Sequence, residues 1–244
     1  MEIKLEVNRQ NVIDGLIILQ LVLLLVLGGY TISLSGKVTK MIAGGIQAGE
    51  PNEAPDVNGP TTPPPSEEPV AEPNFKITSA DHVYGDLKAK VTLVEFTDVQ
   101  CPFCQRNHTT IKQVMEKYAG KVRWIVKSFP LEQMHPYAKM GALAAECAGE
   151  QGKYYEYLDK LFENQATLGK DMMINQAKLL KLNESKFKSC LDSEKYKTKV
   201  ENDIAEGNAS GVSGTPANFI NDKFLGGAYP YEEFVKIIDA ELAK

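Results

Sequence analysis

The chain has 244 residues, 27 Lys and Arg against 32 Asp and Glu, and a formal net charge of −5. All of that excess lies in residues 43–74, and residues 75–244 are neutral, which excludes the basic footprint of a nucleic-acid-binding protein. The four cysteines form one C-x-x-C and no second, and no two histidines stand at ligand spacing, so a zinc site is not expected.

In chain order, the first feature is an uncharged run, Gly15–Gly36, whose residues 16–27 (LIILQLVLLLVL) are apolar save for Gln20. Its 22 residues match the thickness of a bilayer core. A cleavable signal peptide, with Ser33 and Ser35 before the cut, is the alternative. A retained anchor is favoured, because the apolar run is long and the preceding region only weakly basic. Residues 1–42 are therefore read as a membrane anchor with flanks. Lys4 and Arg9 precede the span and Lys37 and Lys40 follow it, so charge alone leaves its orientation open. Residues 43–74 carry eight of the thirteen prolines, six acidic residues and no Lys or Arg. Such a segment cannot bury a core and is read as a disordered Pro/Glu-rich linker, with a proline-rich recognition motif as the other reading.

From residue 75 one folded domain is expected. Val91–Thr97 is a β-rich apolar run, followed directly by Cys101-Pro-Phe-Cys104 and a helical pattern to about residue 119. Behind the motif, Cys104, Asn107/His108, Ile111, Val114/Met115 and Tyr118 recur at the spacing of one helix face. Cys101 thus falls at a helix N-terminus, where unpaired N–H groups and the helix dipole favour a thiolate. Pro102 suits the first helical position, which needs no donor. Such a thiol has its pKa lowered by about one to five units, which makes it a nucleophile and a good leaving group. Cys104, one turn on, is placed to resolve a mixed disulfide. Gln105 rather than His follows it, so the haem-attachment form is absent. His108 is expected to lie on the helix surface or to pack.

A second strand is expected over 121–127, then helices at about 136–148, 153–164, 171–181, 184–191 and 194–209. Two short strands, 217–221 and 223–226, flank an Asn221-Asp222 turn, and a helix over 231–242 ends the chain. Asn107, Asn183 and Asn208 match the glycosylation pattern, which is read as chance because Asn107 lies on the reactive helix.

This order and several separate motifs carry a resemblance. They are Val94-Glu-Phe-Thr-Asp-Val-Gln-Cys-Pro-Phe-Cys104, Phe129-Pro-Leu131 with His135-Pro136, Ala144-Ala-Glu-Cys-Ala-Gly-Glu-Gln-Gly-Lys153, Tyr155–Phe162 and Gly214-Thr-Pro-Ala-Asn218. Over about 80–244 the chain is similar to the DsbA-like thiol:disulfide oxidoreductases of the thioredoxin superfamily. The fold implied is an α/β thioredoxin-like domain with a helical insert at about 132–210, behind a single transmembrane helix and the linker. The resemblance makes Cys101 the nucleophile, Cys104 the resolving cysteine and Pro216 a cis-proline facing them. It makes Glu95 a buried acid that relays a proton to Cys104, where the residues alone equally allow an exposed strand face. Thr215, with Pro102 and Phe103, is expected to contact substrate. Strongly oxidising relatives have histidine at the position of Phe103, so a weaker oxidant is expected here.

The resemblance also implies a second disulfide, Cys147–Cys190, against which two buried free thiols are the alternative. A stable bridge requires an oxidising compartment, which would put the N-terminus in the cytoplasm and the catalytic domain outside the cell membrane. The function implied is introduction of disulfides into unfolded or reduced secreted proteins. Reoxidation would come from a quinone-linked membrane oxidase of the DsbB or vitamin K epoxide reductase type. No metal or organic cofactor is implied, and a monomer is expected. A reductase or isomerase of the same fold and a non-catalytic peptide-binding chaperone are the alternatives.

Overall fold

A computed structural model describes residues 73–244; the anchor expected over 15–36 and the linker through residue 72 lie outside the described residues. Among the described residues no helix is long and apolar enough to cross a membrane.

The centre of the domain is β2 (Val91–Thr97), rich in β-branched and aromatic residues and buried at every position but Thr92. Burial on both faces is what a central strand covered by helices requires. It pairs in parallel with β3 (Val122–Ser128), Val91 opposite Val122 through Thr97 opposite Ser128. On its other side it pairs antiparallel with β4 (Ala217–Ile220), which turns at Asn221-Asp222 into β5 (Lys223–Gly226). Asn221 has φ 52, a left-handed conformation that Asn tolerates at such a turn. A three-residue strand, β1 (Val83–Gly85), adds antiparallel to β3, giving the order β1-β3-β2-β4-β5. The sequence reading had no such strand, since three residues are too few for an alternating pattern to register.

The helices follow from the faces of this sheet. Leu93, Trp124 and Val126 pack with Ile111 and Val114 of α1 (Pro102–Lys117). Phe234 and Ile238 of α7 (Tyr231–Leu242) join the same core. Between β3 and β4 come α2 (Ala138–Gly149), α3 (Tyr154–Glu163), a short 3₁₀ turn (Gln165–Thr167), α4 (Lys170–Leu179), α5 (Glu184–Asp192) and α6 (Lys197–Ala209). Cys147 of α2 and Cys190 of α5 are joined in a disulfide with Cα atoms 5.8 Å apart.

The last of these helices departs from the expected insert. α6 packs on α2 through Val200 but also lies on the opposite sheet face, over the cluster of Val94, Phe96, Ile125, Phe129 and Phe219. A Cβ on Gly207 would come 2.7 Å from Phe129 Cδ2 and 3.0 Å from Phe96 Cδ1, so glycine permits the approach. The helical insert proper is therefore α2–α5, and α6 belongs to the sandwich around the sheet. Gly207→Ala should destabilise the domain by about 1–3 kcal/mol through overpacking. Denaturant unfolding reads this, and an unchanged midpoint would contradict the packing.

Ion pairs lock α6 in place. Lys127 of β3 is only 2% exposed, and its ammonium meets Asp81 at 3.0 Å, Asp203 at 3.4 Å and Glu206 at 2.7 Å. Lys199 joins the cluster through Asp203 at 2.8 Å and Asp81 at 3.2 Å. Ahead of β1, Asn74 N–H donates to Ser210 Oγ and the Phe75 ring packs edge-on against Phe96 and Phe219. Docking thus begins at Asn74, the last residue assigned to the linker.

Candidate active site

The chain leaves β2 at Thr97, turns through Asp98–Gln100 and enters α1 with Cys101 as N-cap and Pro102 at the first position. Cys101 and Cys104 are both free and buried, Cys104 completely. The Cys101 thiol is lowered from 9.0 to about 6. The main cause is a hydrogen bond from the Cys104 thiol; burial opposes it, and the N–H of Cys104, the Thr215 side chain and the N–H of Phe103 add to the lowering. Cys104 is pushed far upward, first by burial and then by the neighbouring Cys101 sulfur. In the reduced site, then, one sulfur is a thiolate near neutrality and the other stays a thiol.

Asp98 inside the turn, and Leu131, His135 and Gln165 from distant parts of the chain, hold it. Asp98 is buried; its N–H points at Cys104 Sγ at 3.4 Å, and its carbonyl accepts from Cys101 N–H. Its carboxylate accepts from the N–H groups of Gln100 and Leu131 and pairs with His135 Nδ1 at 2.8 Å. Gln165 Nε2, from the 3₁₀ turn of the insert, donates to the carbonyls of Val99 and Cys101. The insert is thus fastened to the motif on two sides. None of these roles was read from the sequence, where His135 stood only within a motif that carries the resemblance.

Across from the motif the Thr215–Pro216 peptide is cis, and Cys101 Sγ lies 3.5 Å from the Thr215 carbonyl oxygen. Phe103 is 57% exposed beside the motif, with the Arg106 guanidinium over its ring, and Pro102 is exposed. Met134 and Tyr137 are also exposed, and Tyr137 N–H donates to Gln100 Oε1 next to the nucleophile. The mouth of the site is therefore apolar.

Glu95 points to the α1 side of β2 and is fully buried. Its Oε1 accepts from Asn107 Nδ2 at 2.9 Å, and that amide also donates to Asn218 Oδ1 of β4. The Asn107 glycosylation match is thereby a core residue. Burial raises the Glu95 pKa, only partly offset by His108, Asn107, Thr97 and Trp124. A carboxyl raised in this way keeps its proton in the folded state after the unfolded chain has lost it. The group's contribution to stability therefore falls as pH rises from about 4.3, the unfolded value, through the folded one. Glu95→Gln should gain stability over the native protein as pH rises, and should slow steps in which Cys104 gives up a proton by about 10-fold or more. Unfolding midpoints across pH check the first effect, single-turnover release the second.

His108 packs inside, its ring against Phe162 at 4.6 Å. Among the described residues no cluster of three or more His, Cys, Asp or Glu is placed to hold a metal.

The thioredoxin family profile matches residues 78–240. Among solved structures, BdbD from Bacillus subtilis superposes with a TM-score of 0.64 at 24% identity, covering 72% of this chain and 98% of that one. The catalytic domain of Proteus mirabilis ScsC gives 0.61 at 26% identity, over 68% and 92%. A Salinispora tropica protein named Na(+)/H(+) antiporter NhaA 3 is 35% identical over 152 residues, 62% of this chain and 23% of that protein. The chain thus spans about a quarter of the length of such curated relatives. The chain therefore belongs to the thioredoxin family, with a dithiol site suited to thiol–disulfide exchange.

Proposed function

We propose that the protein is a membrane-tethered, extracytoplasmic oxidase that introduces disulfides into unfolded or reduced secreted and surface proteins. The observation that carries this reading is the Cys101 thiol lowered to about 6 beside a Cys104 held as thiol. A thiolate favoured in the folded protein stabilises the reduced enzyme, and a stable reduced form is what makes a dithiol an oxidant. Lowering from 9.0 to about 6 stabilises the reduced protein at pH 7 by about 1.4 kcal/mol, which is about 30 mV for a two-electron couple. The contribution is complete above pH 9 and disappears as pH falls through 6.

A substrate thiolate attacks Cys101 Sγ of the oxidised site, and Cys104 leaves as a thiolate that takes up a proton. A second substrate thiolate attacks the substrate sulfur of the mixed disulfide and displaces Cys101 as thiolate. The substrate is oxidised by two electrons and the enzyme reduced by two. Reoxidation falls to a quinone-linked membrane oxidase, which the expected anchor and linker would let the domain reach. The Cys147–Cys190 disulfide supports an oxidising compartment, with the N-terminus in the cytoplasm. Thr215, Phe103 and Pro102 line the face that substrate would meet.

A reductase is the second reading, favoured by Phe103, which adds no positive charge beside the nucleophile. Equilibrating the purified protein against glutathione buffers decides between them. A potential above the glutathione couple is expected, and one well below it overturns the oxidase reading.

A further inference from the structure

A histidine that merely fills a core has both ring nitrogens satisfied, because an unpaired buried polar atom is costly. His108 does not meet that description. It is 4% exposed, and its Nε2 lies 2.7 Å from Asp159 Oδ1 of α3, while Nδ1 is buried with no partner among the described residues. The carboxylate assigns the proton to Nε2, which makes Nδ1 an acceptor. On the sheet side three further buried atoms make no well-aligned hydrogen bond: Glu95 Oε2, Thr97 Oγ1 and Trp124 Nε1. Thr97 and Trp124 lie against the Glu95 carboxyl, and the His108 ring is 5.3 Å from that of Trp124. These four buried polar atoms, one on Glu95 itself and three beside it, form a polar seam within an apolar core, of the kind bridged by ordered water.

The other end of the seam is wet. Asp159 is about a third exposed, holds Lys112 at 2.8 Å, and borders a surface cavity of about 650 Å³ that His108, Lys112 and Glu163 also line. Hydrogen bonds from His108 and Lys112 keep the Asp159 carboxyl below its usual range despite burial. The charged groups that bear on His108 are thus Glu95 from β2, Asp159 from α3 with Glu163 beyond it, and Lys112 from its own helix. β3 contributes the uncharged Trp124 indole.

We propose that His108, backed by Asp159, is the outlet through which Glu95 exchanges its proton with solvent during turnover. The inference rests on the exchange reading above and adds a route to it. When Cys104 must attack a mixed disulfide at Cys101, its proton passes to the Glu95 carboxylate. From there it goes through the seam to His108 Nδ1, and the imidazolium, stabilised by Asp159, releases its Nε2 proton toward the cavity. No electrons move in these steps; Glu95 is returned to its starting form and His108 is left as the Nδ1–H tautomer. When Cys104 leaves as thiolate, the path runs inward: Nε2 takes a proton from the cavity, Nδ1 passes its own to Glu95, and the Nε2–H form is restored. His108 acts through Glu95 and touches no reacting sulfur.

The test is single-turnover release of a peptide held as a mixed disulfide on Cys101, followed across pH in the whole protein. His108→Gln should slow release at pH 7 by about 10-fold or more, with the deficit shrinking as pH rises, since a relay is worth most where hydroxide is scarce. Alkylation of Cys101 by iodoacetamide should keep its native rate and midpoint. Asp159→Asn should move release in the same direction, and it carries the test if His108→Gln does not fold. Native release rates at every pH in the variant that folds overturn the relay alone. A native protein that releases no peptide at any pH overturns the exchange reading, and the relay with it.

Discussion

Replacing Cys101 by serine abolishes catalysed disulfide exchange, with an expected loss of at least about 10³-fold, since an unactivated hydroxyl neither attacks a disulfide nor leaves from one. The same residue sets the pH dependence. In the native protein, alkylation of Cys101 should rise with pH to a plateau with its midpoint near 6, because only the thiolate reacts and the site lowers its pKa to about that value. A midpoint near the ordinary thiol value would show that the helix start and the Cys104 thiol do not activate it. Cys101→Ser also separates an oxidoreductase from a peptide-binding chaperone. The exposed Phe103 and Tyr137 beside the motif would still be open to an unfolded chain in the variant. Undiminished suppression of aggregation together with undiminished exchange would mean that the dithiol is incidental.

The second large effect is on stability. Lys127→Ala should cost about 3–5 kcal/mol, because it removes one of the two cations that the buried carboxylates of Asp81 and Asp203 share and leaves Lys199 alone against both. Lys127→Met, which keeps the stem, still leaves two buried carboxylates to one cation and should remain strongly destabilised. The loss should extend beyond the cluster. Asp203 also accepts from Ser128 N–H at the end of β3, just before the loop whose Leu131 and His135 hold Asp98 under the motif. Denaturant unfolding by both fluorescence and circular dichroism checks this. A midpoint within about 0.5 kcal/mol of native, the range of ordinary surface changes, would mean that the cluster is solvated and weak.

How far these features could be read from the chain depends on the range of the physics behind each. The strand, the C-x-x-C, the proline at the helix start and the 3–4 spacing of α1 are local. The ends of β5 and α7 fell where the pattern placed them, and those of most other elements within a few residues. Glu95 and Lys127 were opaque for a shared reason. Both occupy strands buried on both faces, so alternation has no polar side to mark, and a charged residue there reads equally well as exposed. β1 was invisible because its pairing with β3 is a long-range event that three residues do not announce.

The sequence by itself determined that a reactive cysteine would begin a helix behind a buried strand, since helix-terminus electrostatics and side-chain periodicity act within a few residues. It did not determine what surrounds that cysteine. The cis-proline loop at Thr215, the bridge between Cys147 and Cys190, and the Gln165 and His135 contacts join positions 37 to 114 residues apart. The line from Glu95 past His108 to Asp159 likewise exists only once β2, α1 and α3 are packed together, because desolvation and hydrogen-bond partners are properties of the assembled core.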